Sequence, residues 1–248
     1  LLLQDNHTDE ADLRAAVTAT LLAAAAMVTA VSAGAVELDG SAAVVSDYRF
    51  RGESLSNRRP IGEANLQATL PAGWFAGIAG VTSAISRVPG IVARHPEIDV
   101  SAGWSKSFGL LTPSAGLIGT VYPGGSGGNS YETFGSLAAT LGPATLIGGV
   151  NYTPRQDNLR RDSLYMYLSP AAGIPGTPLT LRVSVGREAG ALQGGGRAKL
   201  DYGVGLEARV ARRLTVSARW STNDLAAPAG NRRMARAGVM LGIGVSLP

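Results

Sequence analysis

Apolar and polar residues alternate with a period of two along most of this chain, the pattern of strands whose two faces meet different surroundings. The segment 234–247 shows it most fully. Ala235, Ala237, Val239, Leu241, Ile243, Val245 and Leu247 share one face, while Arg236, Gly238, Gly242, Gly244 and Ser246 make most of the other. In segment 179–186, Leu179, Leu181, Val183 and Val185 stand against Thr180, Arg182, Ser184 and Gly186. Extended along the chain, the pattern predicts about twelve strands, over 38–54, 61–70, 74–86, 97–108, 114–122, 130–141, 144–153, 163–169, 179–186, 198–210, 214–222 and 234–247. Alternation is weakest in 74–86 and 114–122.

The connections carry a second signal. Odd-numbered ones are long and polar: 55–60, 87–96, 123–129, 154–162, 187–197 and 223–233. Most even ones are tight: 71–73, 109–113, 142–143 and 211–213, with 170–178 the exception. Long loops at one end, short turns at the other and an even strand number are the plan of a transmembrane β-barrel. The polar faces are rich in Gly, Ser and Thr, as a narrow lumen requires. Aromatic residues gather near strand ends (Trp74, Tyr122, Tyr131, Tyr152, Tyr165 and Trp220), where interfacial girdles belong. A soluble barrel or sandwich of eight to ten strands is the competing fold, since it alternates too. The fold class expected is therefore all-β: a transmembrane, antiparallel, up-and-down β-barrel of about twelve strands, preceded by a helical signal peptide.

That leader is read in residues 13–35. Arg14 precedes an apolar, alanine-rich core, and Ala33-Gly34-Ala35 supplies a small-residue cleavage site before Val36. Residues 1–12, with four acidic residues and no initiating Met, read as an upstream extension. The domain organisation expected is thus 1–35, extension and cleavable signal peptide, and 36–248, barrel. Beyond the leader no apolar run approaches the roughly 20 residues that a membrane-spanning helix needs.

Composition changes the picture at two points. There is no cysteine, so disulfides are excluded. From Val36 onward 21 basic residues meet 14 acidic ones, a formal charge of +7. In a soluble protein that balance invites nucleic acid; export argues against such a partner.

The stretch Ser46-Asp47-Tyr48-Arg49-Phe50-Arg51-Gly52-Glu53-Ser54 resembles the opening signature of the TorF family of proteobacterial porins. The resemblance runs over residues 40–135, through Pro60, Trp74-Phe75-Ala76-Gly77, Glu97-Ile98-Asp99, Ala102-Gly103-Trp104, Tyr122-Pro123 and Tyr131-Glu132. It implies an outer-membrane barrel of porin type and brings no substrate or catalytic residue with it. One departure stands out: outer-membrane barrels commonly end in an aromatic residue, and this chain ends Ser246-Leu247-Pro248.

Charges on the alternating polar faces are the candidate site. A charge facing lipid costs up to roughly 2–4 kcal/mol at mid-bilayer, so charge belongs in the lumen. The expected lumen-lining network is Asp47, Arg49, Arg51, Glu63, Asp99, Glu132, Asp201 and Arg236 toward the long loops, with Arg182, Glu207, Arg209 and Arg219 toward the short turns. Closure of the last strand on the first predicts that Arg236 approaches Asp47 and that Arg49 approaches Glu63. Two readings stand: a constriction whose transverse field selects solutes, or a paired network that fills the lumen and blocks water.

Eleven arginines fall in the long loops: Arg58, Arg59, Arg87, Arg94, Arg155, Arg160, Arg161, Arg187, Arg197, Arg232 and Arg233. They fit lipopolysaccharide phosphates around the rim, capture of anionic solutes, or plain solvation in an arginine-rich chain. The glycine runs at 124–128 and 194–196 open no helix after a strand and read as loop tips, not phosphate cradles. His95 is the single histidine after the leader, and no serine is singled out beside it, so no catalytic residue is expected. Neither a metal nor a cofactor is expected, because cysteine is absent and acidic residues are spread singly. The function expected is passive diffusion of small hydrophilic solutes with a mild anion preference. The alternative is a non-conducting structural or lipopolysaccharide-binding barrel.

Overall fold

The structure, a computed structural model, describes residues 36–91, 94–193, 197–225 and 232–246; the expected leader lies outside these residues. Twelve strands close into one antiparallel barrel. They are β1 (Glu37–Val45), β4 (Ile61–Thr69), β5 (Trp74–Ile85), β6 (Arg94–Ser105), β7 (Leu111–Val121), β8 (Ser130–Leu141), β9 (Ala144–Thr153), β10 (Ser163–Gly173), β11 (Leu179–Gly190), β12 (Lys199–Arg209), β13 (Leu214–Asn223) and β14 (Gly238–Ser246). Each pairs with its neighbour in sequence, and β1 closes the ring against β14. Two further strands, β2 (Arg49–Phe50) and β3 (Glu53–Ser54), pair only with each other. One short helix, α1 (Arg232–Ala235), precedes β14. Among the described residues no helix is long and apolar enough to cross a membrane.

The face assignment follows the alternation. Leu38, Leu66, Ile78, Leu117, Leu137, Val150, Met166, Val183, Val204 and Leu241 all point outward and are exposed. Asn65, Ser101, Ser136, Ser184 and Ser217, each offset by an odd number of residues from an outward neighbour, face the lumen. A soluble sandwich would bury the first set; here the polar set is inside. Trp74 and Phe108 lie outward near the short turns, and Tyr131, Tyr152, Tyr202 and Trp220 outward near the long loops. The other two expected girdle residues do not belong there. Tyr122 is buried inside, and Tyr165 is turned into the lumen against Arg51.

Three differences from the expected strand boundaries shape the barrel. The exceptional connection 170–178 disappears, because β10 runs on to Gly173 and leaves a five-residue turn, 174–178. The last strand starts at Gly238 because residues 232–235 turn helically. Most consequential, the expected strand 38–54 breaks after Val45: β1 ends there, and β2 and β3 form a separate hairpin. The weakly alternating segments 74–86 and 114–122 are barrel strands, β5 and β7.

The two faces predict different tolerance. Val204→Arg, outward at mid-strand, destabilises the barrel by about 2–4 kcal/mol. Ser136→Arg, facing the lumen, costs far less. Urea unfolding in lipid vesicles, followed by tryptophan fluorescence, measures both; equal costs would contradict the lipid-facing assignment.

Candidate functional site

Residues 46–56 leave the wall and fold back into the loop end of the lumen. The hairpin turns at Arg51 and Gly52, which both adopt positive φ (47° and 82°), as a two-residue turn of type I′ demands. Gly52 is fixed by space as well as by φ: a Cβ there would lie 2.5 Å from the Thr222 carbonyl. The tip therefore packs against β12 and β13, where Asn223 Nδ2 donates to the Gly52 carbonyl at 3.2 Å. The base is held by Asp47, whose carboxylate accepts from Ser54 Oγ at 2.5 Å and Ser56 Oγ at 3.0 Å. Leu55, Ala84 and Tyr122 make a small apolar cluster behind it.

Four cations and six carboxylates form ion pairs around this hairpin. Arg49 Nε pairs with Asp47 at 2.8 Å. Arg51 bridges two walls, reaching Glu132 on β8 at 2.8 Å and Glu188 on β11 at 2.5 Å. Lys199 on β12 holds Glu188 and Glu53, each at 2.9 Å. Arg87, from the β5–β6 connection, holds Glu97 and Asp99 of β6, each at 2.7 Å. Phe50 lies between two guanidinium groups, 4.5 Å from Arg51 and 4.2 Å from Arg87, and Arg51 also sits 4.2 Å from the Tyr165 ring. Such cation–π contacts strengthen where water is excluded.

The surplus carboxylates are satisfied by neutral donors. Glu97 accepts from the Tyr48 hydroxyl at 2.6 Å and from the Tyr122 hydroxyl. Asp99 accepts from Thr120 at 2.5 Å, and Glu132 from Asn151 at 2.9 Å and Thr153 at 3.3 Å. Burial pushes the Tyr48 and Tyr122 hydroxyls well above the usual phenol range; Glu97 adds to the shift and Arg87 opposes it. For Arg51 burial works against the charge, but Glu188 and Glu132 outweigh it and raise its pKa. Both tyrosines stay neutral donors, and Arg51 stays a cation. The plug is a network of ion pairs closed by hydroxyls.

The structure brings together Asp47, Arg49, Arg51, Asp99 and Glu132 of the expected network. Asp201 is buried next to them and accepts from Tyr165 at 3.2 Å. Glu63 faces the lumen, with no ion pair among the described residues. Toward the turns Arg182 Nε donates to Glu207 at 2.9 Å, and Arg219 donates to Ser184 at 2.9 Å, while Arg209 lies at the lumen mouth. Three expectations fail. Arg236 lies exposed between α1 and β14, outside the lumen, because β14 starts two residues later. It therefore does not meet Asp47. Arg49 does not meet Glu63, because the hairpin carries it away from β4 toward β13, where it donates to the Ser221 carbonyl at 3.3 Å. Arg87, counted with the rim arginines, is instead a lumen cation.

Sequence reasoning missed Arg87, Glu97, Glu188, Lys199 and Glu53. Parity was the available signal for two of them: Glu97 shares a face with Asp99, and Lys199 with Asp201. Glu188 shares a face with Arg182, but β11 runs four residues beyond its expected end. His95, at the start of β6, hydrogen-bonds no serine among the described residues.

Beside the hairpin, against β4, β5 and β6, a cavity of about 210 Å³ remains, lined by Tyr48, Glu63, Asn65, Ala79, Val81, Glu97 and Asp99. Below the hairpin, toward the turns, lumen side chains such as Arg182 (57% exposed) are open to solvent. The site is thus a solvent-open vestibule at the turn end and a small cavity against an acidic wall at the loop end.

Among solved structures, the chain is similar to the NanC porin, with 14% identity, coverage of 86% of this chain and 100% of that one, and a TM-score of 0.56. A chain from work on the in-meso crystallization of membrane proteins gives 8% identity, 84% and 83% coverage, and a TM-score of 0.53. An anion-selective porin from Comamonas acidovorans is more distant, at 12% identity, 86% and 100% coverage, and a TM-score of 0.45. At these identities the likeness is one of fold. Curated protein sequences give no match. A family model described as "Bacterial protein of unknown function (Gcw_chp)" matches residues 29–241.

Removing the bridging cation tests the network. Arg51→Ala leaves Glu132 without its cation and Glu188 with Lys199 alone in a buried site, and lowers unfolding stability by about 3–5 kcal/mol. Arg197→Ala, at an exposed pair on the rim, costs less than about 1 kcal/mol. Both are measured by urea unfolding of the refolded barrel, and comparable losses would show that the hairpin is loosely held.

Proposed function

The chain belongs to the Gcw_chp family of bacterial proteins of unknown function, and from its geometry we propose that it is a porin-like channel of the bacterial outer membrane, passing small hydrophilic solutes. The observation that carries this reading is a polar lumen inside an apolar outer wall, narrowed by one inward hairpin. The resemblance of residues 46–54 to the TorF porin signature supports it, since that stretch is the hairpin itself. Export by a cleavable leader over residues 13–35 and a mature barrel of 36–248 complete the proposal.

Solute passes the vestibule and then the space along β4–β6. In that passage Tyr48, Glu97 and Asp99 are tied down, and Glu63 carries the unpaired charge. In the vestibule Arg182, Arg209 and Arg219 outnumber Glu207, which favours anions at entry. The mild anion preference of the whole pore is the balance of these two regions. Outside, Arg58, Arg59, Arg155, Arg160, Arg161, Arg187 and Arg197 ring the loop end, six of them exposed beyond any strand, and suit contact with lipopolysaccharide phosphates. One observation favours a second reading, a non-conducting barrel: the loop-end lumen is packed with buried ion pairs, Glu188 being 1% exposed.

Single-channel recording of refolded residues 36–248 in a planar bilayer decides between them. Discrete steps are expected, and their size rises several-fold when residues 48–54 are replaced by a short Gly-Ser linker. A barrel that folds but stays silent in both forms fails the channel reading. In a salt gradient, Glu63→Gln moves the reversal potential toward anions, and the double change Arg182→Ala with Arg219→Ala moves it toward cations. Unchanged potentials would remove both regions from selectivity.

A further inference from the structure

Below the hairpin the two sides of the lumen differ in kind. On one side, β5 to β8 share a row of register partners: Phe75 pairs with Gly103, Gly103 with Gly116, and Gly116 with Phe134. The two rings close over the glycines with centroids 6.4 Å apart. A Cβ on Gly103 would lie 2.9 Å from the Phe75 ring, and one on Gly116 2.8 Å from the Phe134 ring. On β10, Tyr167 covers Gly149 in the same manner and stacks on Tyr165 at 5.7 Å. Rings laid over glycines brace a curved sheet. Phe75 and Phe134, with Tyr167 two strands further round, also give the lumen an apolar, aromatic wall, for which a purely hydrophilic solute has no use.

On the other side, a second register row places Arg182 of β11 and Arg219 of β13 on either side of Gly205 of β12. In the ring of twelve strands β5 lies six strands from β11, and β7 six strands from β13, so the two rows face each other across the lumen. Arg182 gives only Nε to Glu207, and Arg219 only Nη2 to Ser184. Each guanidinium keeps further donors, and both side chains are exposed to the lumen. Two arginines against one glutamate leave a local charge of +1, which matches a monoanion rather than a doubly charged phosphate.

Resting on the channel reading, we infer that the vestibule holds a binding site for an organic monocarboxylate with an apolar, ring-sized body. Its ring lies on the Phe75–Phe134–Tyr167 wall, and its carboxylate meets Arg182 and Arg219. Neither wall alone would select such a solute: the arginines would take any anion, and the rings any apolar body.

Equilibrium binding by saturation-transfer NMR on refolded 36–248 tests this, with benzoate, acetate and benzyl alcohol as probes. Benzoate binds; acetate, which lacks the ring, and benzyl alcohol, which lacks the charge, bind about tenfold or more weakly. Arg219→Gln, which keeps hydrogen-bond donors but removes the charge, weakens benzoate several-fold and leaves benzyl alcohol unchanged. Phe134→Leu, which keeps apolar bulk, weakens benzoate and leaves acetate unchanged. Equal binding of acetate and benzoate, or no benzoate signal from a folded, heat-modifiable barrel, overturns the inference. The two readings fail separately. A barrel that is electrically silent yet discriminates benzoate loses the channel reading and keeps the site; one that conducts without discriminating keeps the channel and loses the site.

Discussion

A strand in hydrocarbon has no water to satisfy its N–H and C=O groups, so a sheet there is stable only when its two edges pair with each other. In this chain that closure is made by β1 against β14, and the remaining architecture follows from it. A closed sheet has one face to lipid and one to its own interior, which fixes the period of two. It also confines every charge of the wall to a lumen only twelve strands around, where space is short and each charged group finds another within reach. The abundance of glycine on the polar faces is the same constraint seen from inside: Gly103 and Gly116 yield their volume to Phe75 and Phe134.

The hairpin after β1 shows how such a lumen is filled. Arg49 and Asp47 pair within the segment, while Arg51 and Glu53 are answered from β8, β11 and β12. Buried ion pairs add little net stability on their own, but they are unforgiving of misplacement. The Arg51 guanidinium spans Glu132 and Glu188 only if β8 and β11 hold their registers, so the network specifies geometry more than it adds binding energy. The surplus of carboxylate is matched by hydroxyls and one amide, while Glu63 beside it has no ion pair among the described residues.

The fold was largely legible in the sequence, since period two and the sorting of long loops from short turns are direct marks of a closed sheet in lipid. The site was legible only in part. Asp47, Arg49 and Arg51 were recognised as sharing a face, but alternation reads the same in one long strand and in a strand followed by a hairpin. The mark that separates them is the pair Arg51-Gly52, a turn without the Asn or Asp that usually advertises one. Arg87 was hidden for a different reason: nothing local tells an arginine in a long loop whether to face solvent or turn inward, and here Glu97 and Asp99 decide it. Tyr122 and Tyr165 looked like girdle residues by position, whereas parity with outward Leu164 and Met166 places Tyr165 inside. Arg236 was read onto a strand that starts two residues after it, beyond a helical turn no periodicity announced.

Among the described residues, the seam between β1 and β14 shows five register pairs, Ser41 with Ser246 to Val45 with Gly242, where β1 and β4 share nine. It also joins the residues of the barrel farthest apart in sequence, so its closure carries the largest loss of chain entropy. The hairpin begins immediately above that seam, yet its partner charges arrive only when β8, β11 and β12 have curled round to meet it. Until then Arg51 has no counterion from the far strands, and only Glu188 and Lys199, register partners on β11 and β12, can pair with each other. Assembly of the barrel and filling of its lumen are therefore one cooperative event: a half-curled sheet holds charges it can neither pair nor leave in lipid, and the ion pairs latch the seam.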